Sequence, residues 1–243
     1  MTHEFVSVSS SPGLTGTFFY TKAFDLKNYP GVYSAKYCSS EEEFYNVLHS
    51  KRYVGVSVSM PYKQVAVRGA RSLDETARFA QSANTLVLEN GGYRAFSSDY
   101  FAAAWVVDNL VKGHVSILGN GAMGKIFSRL LELKSVDYTI YSRSLGNWDL
   151  RHKPVDTLIN CTSVGTSSSG SPIDFVSPNC TIIDLALKPT LLSKIASRSG
   201  STYIAGIDFY TRVFRRQFEY YTSIVMSESE IESIKTSWIS QNV

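Results

Sequence analysis

The sequence is poor in cysteine and contains no long apolar run. Its three cysteines (Cys38, Cys161 and Cys180) are too few and too widely spaced for a disulfide framework or a cysteine metal site. No apolar run approaches the roughly 20 residues that cross a bilayer. The opening stretch MTHEFVSVSSSPG lacks the apolar centre of a signal peptide. We therefore expect a globular, cytoplasmic protein that binds no metal and no membrane.

The chain also lacks a dominant charge. Its 24 Lys and Arg residues nearly balance 21 Asp and Glu residues, which leaves a net charge of +3. Arg212, Arg215 and Arg216 form the one basic cluster, and at helical spacing such a cluster is typical of a solvated helix face. We therefore expect no nucleic-acid partner. The sequence leaves open whether the protein is a monomer or a homodimer.

What the sequence does contain is an alternation of strand-like and helix-like segments. Apolar or β-branched runs such as FVSVS, YVGVSVS, HVSIL, DYTIY and TIIDLAL are separated by helical patterns. Strands spaced by helices form right-handed crossover units, which produce a largely parallel sheet. One stretch, NTLVLENGGYRAFSSD, instead predicts a hairpin that turns at Asn90-Gly91-Gly92. The predicted fold class is α/β.

Three glycines suggest a dinucleotide site. Gly119, Gly121 and Gly124 form G-x-G-x-x-G directly after the apolar strand VSIL and directly before an amphipathic helix. In that context the glycines permit a tight turn, a close backbone approach to a pyrophosphate, and close helix–strand packing. The helix N-terminus would then face the phosphates with free N–H groups. The alternative is a glycine-rich turn without a ligand.

The end of the next strand distinguishes the nucleotides. A ribose 2′-hydroxyl calls for Asp or Glu about 20 residues past the motif. Ser142, Arg143 and Ser144 stand there instead, and a guanidinium between hydroxyls suits a 2′-phosphate. The sequence therefore predicts NADP as cofactor, unless Arg143 is only a surface residue.

Lys63 follows a short apolar strand in the stretch VGVSVSMPYKQ. Pro61 has no N–H for a sheet ladder, so the strand must end near it. An interior strand needs no lysine at its end. Lys63 is therefore either a solvated loop residue or a functional group.

Several stretches resemble segments of shikimate dehydrogenases, in the same order along the chain. The family segments are S-x-S-P, G-x-N-V-T-x-P-x-K, G-A-x-N-T, G-x-N-T-D, N-R-T and N-A-T-S-x-G. Their counterparts here are SSSP (9–12), GVSVSMPYK (55–63), SANTL (82–86), AFSSD (95–99), YSRS (141–144) and INCTSVG (159–165). Because these matches are collinear, the sequence is identified as a member of the shikimate/quinate dehydrogenase superfamily.

The resemblance implies two domains with an active site in the cleft between them. Residues 1–101, completed by C-terminal helices in 209–243, would form an α/β substrate domain, and 102–208 a Rossmann-like NADP-binding domain. The implied reaction is reversible hydride transfer between NADPH and the ring ketone of 3-dehydroshikimate, a small carboxylate substrate. The implied nucleotide-binding residues are Gly119, Asn120, Gly121, Ala122, Gly124, Ser142, Arg143, Ser144, Thr162, Ser163, Leu185 and Gly206.

The resemblance also assigns catalytic and substrate-binding residues. Reduction of a ketone builds negative charge on oxygen, so the step needs a proton donor. Lys63 is implied as that donor, with Asp99 beside it to orient it. Ser9 and Ser11 are implied to hold the substrate carboxylate; Ser59 and Asn84 complete the implied substrate-binding set.

Several positions depart from the family pattern on the substrate side. Ser57 replaces an Asn, Thr15-Gly16 replaces His-Asn, and Leu187 replaces a Tyr. Val213 falls where a substrate-binding Gln is expected. Three interpretations therefore remain: a divergent shikimate dehydrogenase, a paralogue that acts on another cyclic hydroxy or keto acid such as quinate, and a non-catalytic NADP-binding sensor.

Overall fold

The computed structural model describes residues 2–165 and 171–242, so the outermost residues of the expected domain bounds, 1 and 243, lie outside the described residues. The chain forms two compact units. The first unit combines Met1–Phe101 with Val213–Asn242, and the second unit is Ala102–Arg212.

Among the described residues, the first unit contains six strands and, before residue 98, four helices. The strands are β1 (His3–Ser9), β2 (Gly31–Tyr37), β3 (Gly55–Val58), β4 (Ser72–Leu73), β5 (Thr85–Glu89) and β6 (Gly92–Phe96). The helices are α1 (Thr15–Lys27), α2 (Glu41–Ser50), α3 (Lys63–Gly69) and α4 (Glu75–Ala80). It also holds α9 (Glu228–Asn242) and parts of α5 (Ser98–Asn109) and α8 (Gly206–Thr222), two helices that run through both units.

The sheet of the first unit is mixed, in the order β2-β1-β3-β5-β6-β4. β1 is parallel to β2 and β3, but β5 is antiparallel to both β3 and β6. The predicted hairpin between β5 and β6 is confirmed: Asn90 and Gly91 take positive φ angles of 50° and 78° in its turn. Three of the five described strand pairings in this sheet are parallel, β4 with β6 among them, so the expectation of a largely parallel sheet holds here except where β5 pairs with its neighbours.

The two faces of this sheet differ in polarity. Val6, Val8, Val56 and Val58 point to one face and pack with Phe44 in an apolar core. Because side chains alternate along a strand, the residues between these valines point to the opposite face. That opposite face carries small hydroxyl side chains towards the end of β1 and β3, and it is the face on which α8 lies.

The second unit has a wholly parallel sheet. Its strands are β7 (Val115–Leu118), β8 (Tyr138–Tyr141), β9 (Thr157–Asn160), β10 (Thr181–Asp184) and β11 (Thr202–Ala205), in the order β11-β10-β9-β7-β8. Its own helices are α6 (Ala122–Leu133) and α7 (Leu191–Ser199), and short 3₁₀ helices span Arg143–Leu145 and Trp148–Leu150. β7, β9 and β10 are buried along their whole length, as expected for parallel strands covered on both faces. The predicted Rossmann-like α/β architecture is confirmed.

Three of the expectations about absent features can be examined in residues 2–165 and 171–242. In these ranges, no helix is long and apolar enough to span a membrane. The same ranges contain no cluster of His, Cys, Asp or Glu that could hold a metal ion. The three cysteines carry no disulfide.

Candidate active site and nucleotide cavity

One edge of the first sheet collects the residues that the sequence singled out. β1, β3 and β6 end at this edge, and β5 begins at it because β5 runs in the opposite direction. The edge therefore brings together Ser9 at the end of β1, Ser59 after β3, Asn84 before β5 and Asp99 after β6. Lys63 follows Ser59 after a short turn and is the first residue of α3.

Lys63 and Asp99 form an ion pair at this edge. The Lys63 Nζ donates to Asp99 Oδ2 at 2.6 Å, and the two side chains are only 16% and 7% exposed. The implied position of Asp99 beside Lys63 is therefore confirmed. Little water reaches the pair, so the charge-assisted bond is stronger than it would be on the surface and fixes the position of the amine. Lys63 is therefore not a solvated loop lysine.

Asn84 connects this pair to the sheet. Its Oδ1 accepts hydrogen bonds from the Ser98 backbone N–H at 2.9 Å and from the Ser98 Oγ at 3.0 Å. These bonds hold the first turn of α5, where Asp99 lies. Within the described part of the chain the Asn84 Nδ2 has no hydrogen-bond partner, so this amide has donors to offer a ligand.

Ser9 and Ser11 form a tight turn just after β1. The Ser9 Oγ accepts a hydrogen bond from the Ser11 backbone N–H at 3.1 Å. Ser9 is buried and Ser11 is exposed. This contact uses Ser9 Oγ as an acceptor and leaves its O–H as a possible donor to an anion.

A buried polar cluster lies beside these residues, on the face of the sheet that α8 covers. Sequence reasoning missed its central member, Gln217. The structure places Gln217 one helical turn after Val213, which is itself buried. The cluster consists of Ser57, Gln217, Tyr20, Tyr33 and Tyr221, joined by hydrogen bonds of 2.7–3.0 Å.

Of the other family departures, Gly16 is the second residue of α1 and lies beside Tyr33: a Cβ built on Gly16 would lie 3.2 Å from the Tyr33 hydroxyl. Leu187 belongs to the second unit, where it follows β10.

The second unit contains a cavity of about 370 Å³ at the carboxyl ends of its strands. Most of the predicted nucleotide-binding residues line it: Gly119, Asn120, Gly121, Ser142, Arg143, Ser144, Thr162 and Ser163. Trp148, Cys161 and Val164 also line it and were not predicted. Ligands of open α/β sheets bind at this end of the strands, so the cavity is the candidate nucleotide site.

The glycine loop has the shape that a dinucleotide needs. Gly119 has a φ of +101°, which side chains rarely allow. A Cβ on Gly124 would lie 2.1 Å from the Gly119 carbonyl oxygen, so only glycine lets α6 pack this close to the turn. Gly121 faces open space, and no side chain caps the α6 N-terminus there. The free N–H groups of this turn therefore fit the pyrophosphate of a dinucleotide.

The charge of the cavity also fits a phosphorylated ribose. Arg143 is exposed, and its guanidinium forms no ion pair or hydrogen bond with any other described residue. Ser142 and Ser144 flank it, and their hydroxyls lie 3.0 Å apart. Among the described residues, those that line the cavity include no Asp or Glu. An anion near Arg143 would therefore meet a free guanidinium and no opposing carboxylate.

Four predicted nucleotide-binding residues do not line the cavity: Ala122, Gly124, Leu185 and Gly206. Ala122 and Gly124 belong to the first turn of α6, directly behind the glycine loop. Gly206 begins α8, and a Cβ there would lie 2.6 Å from the carbonyl carbon of Leu185. The close approach of Gly206 to the Leu185 backbone is therefore a sufficient reason for a glycine at position 206.

Cys161 could be mistaken for a nucleophile because it lines the cavity. Burial, and then the nearby Asp184 carboxylate, raises the pKa of its thiol well above the ordinary range. The thiol is therefore protonated at neutral pH and is a poor nucleophile.

The basic cluster on α8 makes internal contacts. In the second unit, Arg212 stacks on Trp105, with 3.4 Å between guanidinium carbon and ring centroid. In the first unit, Arg215 pairs with Glu228, and Arg216 donates to Glu219 at 2.7 Å. These arginines are half-buried and packed against neighbours rather than forming the solvated face that the spacing predicts.

Comparison with known proteins identifies the relatives of this chain. Residues 4–86 match the model of the shikimate dehydrogenase substrate binding domain. A shikimate dehydrogenase-like protein of Haemophilus influenzae is 24% identical, and the match covers 89% of each chain. The shikimate dehydrogenase (NADP(+)) of Leptospira interrogans is 26% identical over 75% of each.

Solved structures agree on the fold. The shikimate 5-dehydrogenase of Thermus thermophilus, solved with NADP(H) and shikimate, superposes with a TM-score of 0.81 at 20% identity. That match covers 97% of this chain and 99% of the other. The chain is thus similar to shikimate dehydrogenases over most of its length, and its residues 4–86 match their substrate binding domain.

Proposed function

We propose that this protein is an NADP-dependent dehydrogenase that acts on a CH–OH group. It catalyses reversible hydride transfer between NADPH and the ring ketone of a cyclic keto acid, of which 3-dehydroshikimate, giving shikimate, is the pair to test first. The observation that carries the proposal is the shielded Lys63–Asp99 ion pair at the polar edge of the first sheet. The NADP(+)-linked names of the relatives support the choice of cofactor.

In this mechanism Lys63 is the proton donor. The ketone oxygen gains negative charge as its carbon is reduced, and an ammonium at this position stabilises that charge and then supplies the proton. A hydride for the carbonyl carbon is the chemistry that NADPH supplies when bound, with its own oxidation to NADP⁺. In the reverse direction, neutral Lys63 takes the hydroxyl proton.

Asp99 and Asn84 hold the Lys63 amine and the substrate in position. Asp99 accepts from the Lys63 amine and holds it in one place, which lowers the entropic cost of reaching the transition state. Asn84 binds the first turn of α5 through Oδ1 and has its Nδ2 donors left for a substrate hydroxyl. Ser9 and Ser11 bind the substrate carboxylate through their hydroxyl groups.

In the second unit Arg143 binds the 2′-phosphate of NADP, and the glycine loop with the α6 N-terminus binds the pyrophosphate. Thr162 and Ser163, which line the same cavity, complete the contacts. A cytoplasmic location, expected from the sequence, remains a prediction.

The second candidate function is the same chemistry on a different cyclic acid, such as quinate. The apolar Val213 at the family's Gln position favours it. A non-catalytic NADP sensor is the weaker candidate, because a sensor needs no shielded proton donor beside hydroxyl and amide groups that could bind a substrate.

The test is an assay of NADP⁺ reduction with shikimate, quinate and related cyclic hydroxy acids, followed at 340 nm. We expect turnover with at least one of these acids, and slower turnover when NAD⁺ replaces NADP⁺. Tight binding of NADP⁺ without turnover of any cyclic acid would contradict the dehydrogenase and favour the sensor.

A further inference from the structure

The buried polar cluster has no hydrogen-bonding capacity left at Ser57. A serine hydroxyl has one donor and two acceptor sites. Tyr33 donates to Ser57 Oγ at 2.7 Å, and Ser57 Oγ donates to Gln217 Oε1 at 3.0 Å. The Tyr221 hydroxyl lies 2.9 Å from the same oxygen and takes the remaining acceptor site.

Gln217 is saturated in the same way. A glutamine amide has two acceptor and two donor sites. Gln217 Oε1 accepts from the hydroxyls of Tyr20 and Ser57, each at 3.0 Å. Its Nε2 donates to the Asn84 carbonyl at 2.9 Å and to the Thr85 Oγ1 at 2.8 Å. A substrate could bond to Gln217 only if one of these buried bonds broke.

The cluster is also closely packed. The rings of Tyr20 and Tyr33 are stacked, with centroids 4.1 Å apart and planes 4° from parallel. Burial raises the pKa of Tyr33 to about 12, so its hydroxyl keeps its proton and donates at neutral pH. Releasing Ser57 would leave buried polar groups unpaired, which proteins avoid.

The turn of α8 that precedes Gln217 is apolar at Val213. Tyr221 packs against Gly55 near the start of β3, and Gln217 reaches Ser57 further along it. The strand therefore runs towards earlier residues of α8. Val213 lies one turn before Gln217 on the same helix face, about 6 Å further along the helix axis.

We infer that this site, if the proposed dehydrogenase function holds, selects a cyclic keto acid with fewer hydroxyl groups than 3-dehydroshikimate. Lys63, Asp99 and Asn84 can hydrogen-bond to the reacting oxygen and its neighbour, and the hydroxyl groups of Ser9, Ser11 and Ser59 can hydrogen-bond to the carboxylate. The side formed by positions 57 and 213 offers a ligand no free donor or acceptor. A ring hydroxyl directed there would lose its bonds to water, at a cost of about tenfold in affinity for each hydroxyl left unpaired.

The experiment compares two substrates of the unmodified protein with NADP⁺. One is shikimate, and the other is 3-hydroxycyclohex-1-ene-1-carboxylate, which keeps the carboxylate and the reacting hydroxyl but lacks the other two hydroxyls. We expect kcat/KM to be at least tenfold higher for the monohydroxy acid. A ratio of one or less overturns the inference.

A pair of variants tests whether the preference for the monohydroxy acid depends on position 213. Val213→Gln restores an amide at the apolar turn and should raise kcat/KM for shikimate about tenfold relative to the monohydroxy acid. Val225→Gln, at a valine that is 57% exposed, is the matched control and should leave the ratio unchanged. An unchanged ratio in a folded Val213→Gln protein counts against the inference, and if that variant does not fold, the wild-type ratio decides alone.

Failure of the substrate-class inference can be distinguished from failure of the proposed dehydrogenase function. A wild type that prefers shikimate leaves the dehydrogenase proposal intact and overturns only the substrate class. A wild type that binds NADP⁺ but oxidises neither these acids nor quinate overturns both.

Discussion

Replacing Arg143 by Ala should remove most of the preference for NADP over NAD. Arg143 lines the nucleotide cavity, and among the residues described its guanidinium has no other partner, so a 2′-phosphate would be its main ligand. A hydrogen bond to a charged group contributes about 1.5–3 kcal/mol, or about tenfold to a hundredfold in Kd. Because Arg143 is exposed, water and salt weaken the contact, and we expect about tenfold.

The assay is calorimetric titration of NADP⁺ and NAD⁺ into wild type, Arg143→Ala and Arg198→Ala. Arg198 is an exposed arginine on α7 of the same unit that does not line the cavity, so its variant controls for the loss of one positive charge. We expect NADP⁺ affinity to fall about tenfold in Arg143→Ala alone, with NAD⁺ affinity unchanged. Equal affinities in the wild type, or an Arg143→Ala protein that keeps its NADP⁺ preference, would refute the reasoning.

Two further predictions concern the carboxylate end of the site and alkaline stability. Replacing Ser9 and Ser11 together by Ala should raise KM for an acid substrate without changing NADP⁺ affinity, and better turnover of an uncharged polyol by the wild type would contradict this role. Burial raises the pKa of Tyr33 and Tyr93 to about 12 and that of Cys180 to about 11, so the folded state keeps protons that the unfolded chain loses from about pH 9 upward. Urea denaturation should therefore show a free energy of unfolding that is steady up to about pH 8 and falls above pH 9, whereas an increase there would show that these groups are not shielded.

Local signals in the sequence were strong enough to predict much of the fold. The hairpin at Asn90-Gly91 was predictable because few residues other than Gly and Asn tolerate its positive φ angles. The glycine loop was predictable because Gly124 must lie almost against the Gly119 carbonyl. The ion pair of Lys63 and Asp99 was predictable only through the collinear family resemblance, since 36 residues separate the two in sequence.

Features that depend on packing between distant segments were not predictable. Nothing local shows that β5 inserts between β3 and β6, or that two residues of β4 complete the sheet. An ungapped alignment finds Val213 in place of a Gln, but it cannot show that Gln217, one turn later on the same helix face, bonds to Ser57. Trp148 carries no motif and reaches the cavity through a 3₁₀ helix.

The central claim, that Lys63 is the proton donor, is tested most directly by kcat in Lys63→Ala. We expect kcat to fall about 10²–10⁴-fold, with NADP⁺ affinity and the circular dichroism spectrum preserved. Lys22→Ala, at an exposed lysine on α1, is the control and should keep full activity.

Asp99→Asn keeps the side-chain shape and should also lower kcat, and the double variant should lose far less than the product of the two single effects, because Lys63 and Asp99 act as a unit. A folded Lys63→Ala protein that binds NADP⁺ and turns over its acid substrate at the wild-type rate would contradict the account.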